Sequence, residues 1–317
     1  MGGTIPSSLG PLHARYLEAD ALAYHYQVLT YRTLRWMFIL GFLTAVFFEL
    51  NAHVIPHLLT GDRASSVMLA LTLFVYLCLW GVIRWLYRRA KRDRYQENFH
   101  SYRALAEGLR VQFFWLLVGI TDSIGEAFET RDTDEDEALP VLKVIAHLAA
   151  GPHPEMAHRP EREVLTVTQA LVHWVEGQER YFTNAVAREE RRRKWCQRAE
   201  LGCFVLALLL PAWLMVAHFM SKIDVEGSWR LTLIVTSALA MVGAGLFHGY
   251  GEKRAFGEHS KSYGDIWATF DDYKNVLRRN DSGDVRDSLR EFGKTALREN
   301  ADWVRLHRWR PLDAPRG

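Results

Sequence analysis

Hydrophobic positions in this sequence are segregated rather than spread. Four stretches are almost pure hydrocarbon: Trp36 to Ile55, Ser66 to Tyr87, Leu201 to Met220 and Leu231 to Tyr250. A bilayer core about 30 Å thick needs roughly 20 apolar helical residues, because a helix satisfies its own backbone groups where no water can. The first stretch is interrupted only by Glu49, Asn51 and His53 near its far end, and the second carries Arg84 close enough to its end to snorkel. The third and fourth contain no Asp, Glu, Lys or Arg. Two closely spaced pairs of this kind predict an all-α integral membrane protein. Its four transmembrane helices would form two hairpins with cytoplasmic helical extensions.

Basic residues near span ends set the orientation of such a chain. Seventeen of them flank one side, from Arg32 and Arg35 through the runs 84–94 and 188–198 to Lys253, Arg254 and Lys261. Only Arg63, Lys222 and Arg230 flank the other. This asymmetry predicts a multi-pass membrane protein with both termini and the long middle segment in the cytoplasm.

The polar segments carry a repeat. Tyr95-Gln96-Glu97-Asn98-Phe99-His100-Ser101-Tyr102 matches Phe256-Gly257-Glu258-His259-Ser260-Lys261-Ser262-Tyr263 in its aromatic, Glu, Ser and Tyr positions. The offset that takes Tyr95 to Phe256 also takes Leu34 to Trp195 and Ser66 to Gly227, each beside the start of a span. Two tandem halves are expected, residues 1–139 and 140–317. The apolar spacing of Val164, Leu165, Leu171, Trp174 and Tyr181 predicts a long lead-in helix to the third span from about Glu161. Pro211 is expected to kink that span. Glu126 to Glu137, an acidic cluster ending before Pro140, reads as a solvated loop, as does the Pro-rich stretch 150–160.

Composition adds mostly exclusions. The 317 residues include 39 Lys and Arg against 37 Asp and Glu, a net charge of +2, so nothing points to duplex DNA. A mean hydropathy of -0.11 resembles that of a soluble protein only because averaging hides the segregation. Cys78, Cys196 and Cys203 form no CxxC pair and read as small buried hydrophobes. The stretch from Met1 to Thr30 holds no short apolar core, so insertion is expected to rest on the spans themselves. No phosphate loop, HExxH, GxSxG or dinucleotide fingerprint occurs, so no enzyme, cofactor or metal is expected.

Intramembrane polar residues are the more informative chemistry. A carboxylate in a span costs roughly 2.5–3.5 kcal/mol to insert, so Glu49 should face protein, water or headgroups rather than lipid tails. Glu49 and Asn51 are therefore candidates to line an ion path assembled from several subunits, since four helices leave little room for a pore within one. Gly243, Ala244 and Gly245 offer a face for close helix approach. Tyr95 and Tyr102, a heptad apart, share a helix face with Glu97 nearby; with Glu258 and Tyr263 they are candidates for a ligand or partner contact. Arg191 and Arg192 are candidates for an anionic partner, for which lipid headgroups suffice.

Three segments carry a resemblance: Tyr24 to Arg35 leading into a tight two-span hairpin, then Tyr102-Arg103-Ala104-Leu105-Ala106-Glu107; Trp174 to Phe182 feeding the basic run Arg188 to Arg193; and Ala296 to Trp303. In these the chain resembles the SLATT family, the SMODS and SLOG-associating two-transmembrane effectors, over residues 15 to 312 as two tandem copies. The doubling departs from the family's two spans. The resemblance implies an effector of bacterial anti-phage conflict systems, placed in the bacterial inner membrane, that homo-oligomerises and perforates or depolarises that membrane. It also implies pairing with an enzyme that makes a nucleotide or oligonucleotide signal.

Overall fold

The computed structural model describes residues 9–58, 63–122, 124, 174, 176–220, 227–256 and 285–308. Every element among them is helical. They are α1 (Gly10–Glu49), a π-helical turn (Leu50–Val54), α2 (Ile55–Leu58), α3 (Arg63–Arg92), α4 (Tyr95–Leu117), α5 (Glu176–Met220), α6 (Gly227–Arg254) and α7 (Val285–Arg308). The acidic cluster 126–137, the stretch 150–160, Glu258 and Tyr263 lie outside the described residues. So does the expected start of the lead-in helix at Glu161; α5 is described from Glu176. Pro211 sits in the interior of α5 without ending it.

Contacts divide the chain into two compact units, and each draws on both halves of the sequence. One comprises Met1–Thr30, Arg94–Ala187 and His259–Pro311, the other Tyr31–Asp93, Arg188–Glu258 and Leu312–Gly317.

The first unit is a helical bundle with a conventional core. The first half of α1 buries Leu12, Ala19, Ala23 and Thr30, spaced seven, four and seven, which puts them on one stripe. On α7 the buried positions Leu289, Phe292, Ala296 and Leu297 form a second stripe. Between the stripes, α4 is buried at nearly every position from Ala106 to Leu116. Its end is specified locally. Gly119 adopts φ 81°, the Gly119 amide donates to the Leu116 carbonyl (3.2 Å) and the Ile120 amide to the Trp115 carbonyl (2.8 Å). This is a Schellman cap, with Ile120 and Trp115 both buried beside it. Beyond the cap, buried Gln112 donates to the Asp122 carbonyl (3.1 Å) and accepts from the Ile124 amide (3.1 Å), and Arg290 of α7 donates to Asp122 (2.7 Å). The turn after α4 is thereby pinned to two helices.

The second unit follows the opposite rule. Its buried side chains are mostly small or polar, as at Thr44, Thr72, Ala207, Ala217, Ala240 and Ala244. Its large hydrophobes point outward, among them Phe74 (63% exposed), Leu209 (61%), Trp229 (71%) and Phe219 (78%). Of the most apolar 18 residues in each of the four long helices, between 0% and 17% are buried. Water does not tolerate that much contiguous apolar surface on a monomer, whereas lipid does, and small residues at helix contacts are how spans pack in lipid. Four helices are long and apolar enough to cross a membrane, and they coincide with the four stretches read from the sequence. Cys196 is buried as expected; Cys78 is exposed, because α3 meets few neighbours and most of its circumference has no protein to cover it.

Within this unit α1 meets α3 through Phe48 and Tyr76 (6.3 Å) and α6 through Phe38 and Tyr250 (5.4 Å). A Cβ on Gly243 would stand 3.3 Å from Cys203 Sγ and 3.9 Å from Phe42, so this glycine admits both α5 and α1. The Ser237 hydroxyl donates to the Ala207 carbonyl (2.8 Å). Much of the small-residue face of the fourth stretch is thus used inside the protomer. A Cβ on Gly245 would meet nothing within 4 Å, so that position faces open space.

The helix expected to continue past the second span is interrupted. Arg94 adopts φ 47° in the left-handed region, and α4 starts after it. Ala255 does the same at φ 50° directly after α6, so the two breaks are related by the same offset as the sequence repeat. The aromatic that follows each, Tyr95 and Phe256, is buried. Burial of that ring is the natural compensation for a backbone that costs roughly 1–2 kcal/mol in a residue with a Cβ. Arg94 is exposed, and its pairing with Glu97 (3.6 Å) is equally exposed and worth little. Arg94→Gly is therefore expected to raise stability by about 0.5–1 kcal/mol, and Arg94→Val to lower it. Thermal unfolding of the purified protein checks this; a glycine variant less stable than the valine variant would contradict the strain.

Candidate functional site

Polar chemistry inside the apolar helices concentrates where α1 ends. Glu49 closes α1, and the next turn, Leu50–Val54, is π-helical. Such a turn inserts one residue into the helical ladder and re-aims the side chains beyond it, and these turns are frequent at functional sites. Here Glu49 Oε2 lies 3.0 Å from His53 Nδ1, with the carboxylate side chain 13% exposed and the imidazole 47%. Asn51 Nδ2 donates to the Phe47 carbonyl (3.0 Å), and Asn51 Oδ1 lies 2.9 Å from the hydroxyl of Thr72 on α3. That hydroxyl has one proton to give, and the Met68 carbonyl at 2.9 Å competes for it.

Both candidates from the first span therefore have a partner inside the chain, in two separate pairs at neighbouring positions. Glu49 pairs along its own helix, and Asn51 ties α1 to α3. Their partners, His53 and Thr72, were not candidates from sequence. The signal for His53 was present, since Glu and His four apart on a helix face each other. Thr72 had no signal, since its partner lies on a different helix.

A second carboxylate–imidazole pair joins α5 to α6, with Glu200 Oε1 3.1 Å from His248 Nδ1. It stands in an open groove of about 830 Å³, walled by Gln197, Phe204, Met241 and Gly245. No cluster of three metal-ligating side chains occurs among the described residues.

The other candidates separate. Tyr95 is buried, while Tyr102 stacks on Tyr26 of α1 with centroids 5.6 Å apart and planes 7° from parallel. Glu97 is exposed and pairs with Arg94. Tyr95 and Tyr102, a heptad apart on α4, keep to one helix face, and Glu97, two residues after Tyr95, lies on another. Arg191 and Arg192 lie in the basic run of α5, where Arg191 is exposed. Arg192 is held at 2.9 Å by Glu189, a buried carboxylate that also takes Arg188 at 3.5 Å. Glu190 holds Arg193 (3.0 Å) and Lys194 (3.3 Å), and its hydrogen bond raises the Arg193 pKa further above neutrality. The basic run is thus partly neutralised along its own helix.

No family model matches the chain, and no curated protein and no solved structure does.

Proposed function

We propose that this chain is a multi-pass effector of the bacterial inner membrane that assembles with copies of itself to conduct ions when a cytoplasmic signal arrives. One observation carries the reading: Glu49, at the far end of the first span, pairs with His53 across a π-helical turn whose Asn51 is tied to Thr72 on α3. A carboxylate held at that depth can attract cations, and a subunit ring of such carboxylates is a familiar cation filter. The two repeated halves would act as two hairpins, with the termini and middle segment cytoplasmic as the charge asymmetry implies. The resemblance to SLATT effectors supplies the trigger, a nucleotide or oligonucleotide made by a neighbouring enzyme.

The test is ion flux. Reconstituted in liposomes or expressed under a tight promoter, the protein should depolarise the membrane, and Glu49→Gln should cut cation over anion preference several-fold while assembly persists. Flux and toxicity indifferent to Glu49→Gln would favour a second reading, a non-conducting anchor for cytoplasmic partners. That reading draws on Asn51, whose amide is engaged at both ends within the protomer. A small transporter ranks third, since four spans are few.

A further inference from the structure

The last residue of α6, Arg254, is a cation with no anion among the described residues. It is 7% exposed. Its guanidinium lies 3.5 Å from the centroid of Tyr31 on α1 and 5.1 Å from that of Phe256. Rings so placed attract the charge through its π-face, and leave the N–H groups in the guanidinium plane free. Nε is buried with no hydrogen-bond partner, and no carboxylate among the described residues reaches Arg254. Glu200, the nearby carboxylate that also acts on Cys196, is paired with His248.

The Cys196 thiol does not fill the gap either. Burial pushes its pKa up, and the Arg254 charge only partly opposes this, so the thiol stays neutral. The negative end of α6 favours a cation at this position, but that weak, diffuse attraction satisfies no particular N–H. A buried guanidinium with its face covered and its edge unspent is a receptor for a planar pair of oxygens, and phosphate is the matching group. The position fits, since Lys253 and Arg254 end a helix apolar enough to cross the bilayer and so stand where phosphates lie.

We propose that Arg254, clamped between Tyr31 and Phe256, is a phosphate-binding site. The phosphate could belong to an anionic lipid or be free in solution, and the two are separable. Full-length protein in neutral detergent would be titrated with short-chain phosphatidylglycerol in one arm and with inorganic phosphate in the other, following the melting temperature. Saturable stabilisation by the lipid alone would assign a headgroup; stabilisation by both would assign the phosphate itself. Arg254→Lys keeps the charge and the aromatic contacts but loses the fork. It should weaken the apparent affinity about ten-fold, the scale of one charge-assisted hydrogen bond. If Arg254 only locks α6 to α1, Arg254→Lys will lower the melting temperature yet leave the ligand-induced rise unchanged. That result, or a wild-type protein indifferent to both additions, overturns the site.

Discussion

Trp174→Ala is expected to be among the most damaging single substitutions in this chain, destabilising the first unit by about 3–5 kcal/mol. Trp174 is 2% exposed. Its ring stacks on Phe114 of α4 at 5.0 Å and 2°, and meets Phe292 of α7 edge-on at 4.7 Å and 83°. One side chain therefore joins the two helices that form most of the core, and alanine would leave a cavity between them. The indole also carries a weakness, since its buried Nε1 has no acceptor. An unmade hydrogen bond of this kind costs about 1–3 kcal/mol. Trp174→Phe removes that donor together with part of the ring, so the gain and loss should nearly cancel. Unfolding of the purified full chain should therefore rank phenylalanine close to wild type and far above alanine. An alanine variant as stable as wild type would mean that Trp174 does not hold α4 and α7 together.

That aromatic junction was half legible in the sequence. The apolar spacing around Trp174 predicted a helix with a buried face, but nothing in spacing names Phe114, well upstream, or Phe292, far downstream, as its neighbours. The apolar stretches of the four long helices were legible, because lipid imposes length and apolarity on contiguous sequence. The helices themselves run past those stretches, α1 from Gly10 and α5 from Glu176. The breaks at Arg94 and Ala255 were not, since neither residue is one that usually signals a left-handed turn. Yet the offset that relates them was already visible in the aromatic, Glu, Ser and Tyr matches that follow each break. Arg254 looked like one more juxtamembrane arginine. Its burial against Tyr31, near the other end of the chain, is what singles it out. Local constraints leave a trace in sequence, and long-range pairings do not.

Gly293 is the position where the smallest substitution should do the most harm. A Cβ there would stand 2.3 Å from Trp115 Nε1, 2.6 Å from Cε2 and 2.8 Å from Cζ2. These atoms cannot yield as the end of a flexible chain would. Trp115 is 0% exposed, and its indole N–H donates to the Leu289 carbonyl at 3.3 Å, one turn before the glycine on the same helix. Helix propensity favours Gly293→Ala by roughly 1 kcal/mol. Overpacking opposes it by about 1–3 kcal/mol, and the displaced indole also forfeits its hydrogen bond, so the net effect should be a marked loss. Of the colliding atoms Cζ2 belongs to the distal benzo ring, which phenylalanine lacks, and phenylalanine's smaller single ring has room to turn away. Trp115→Phe should therefore cost less in the Gly293→Ala background than in the wild type, with a favourable coupling of about 0.5–3 kcal/mol. A four-variant set of melting curves measures that coupling. Strict additivity would show that the close approach of α7 to α4 is not set by this glycine and this ring.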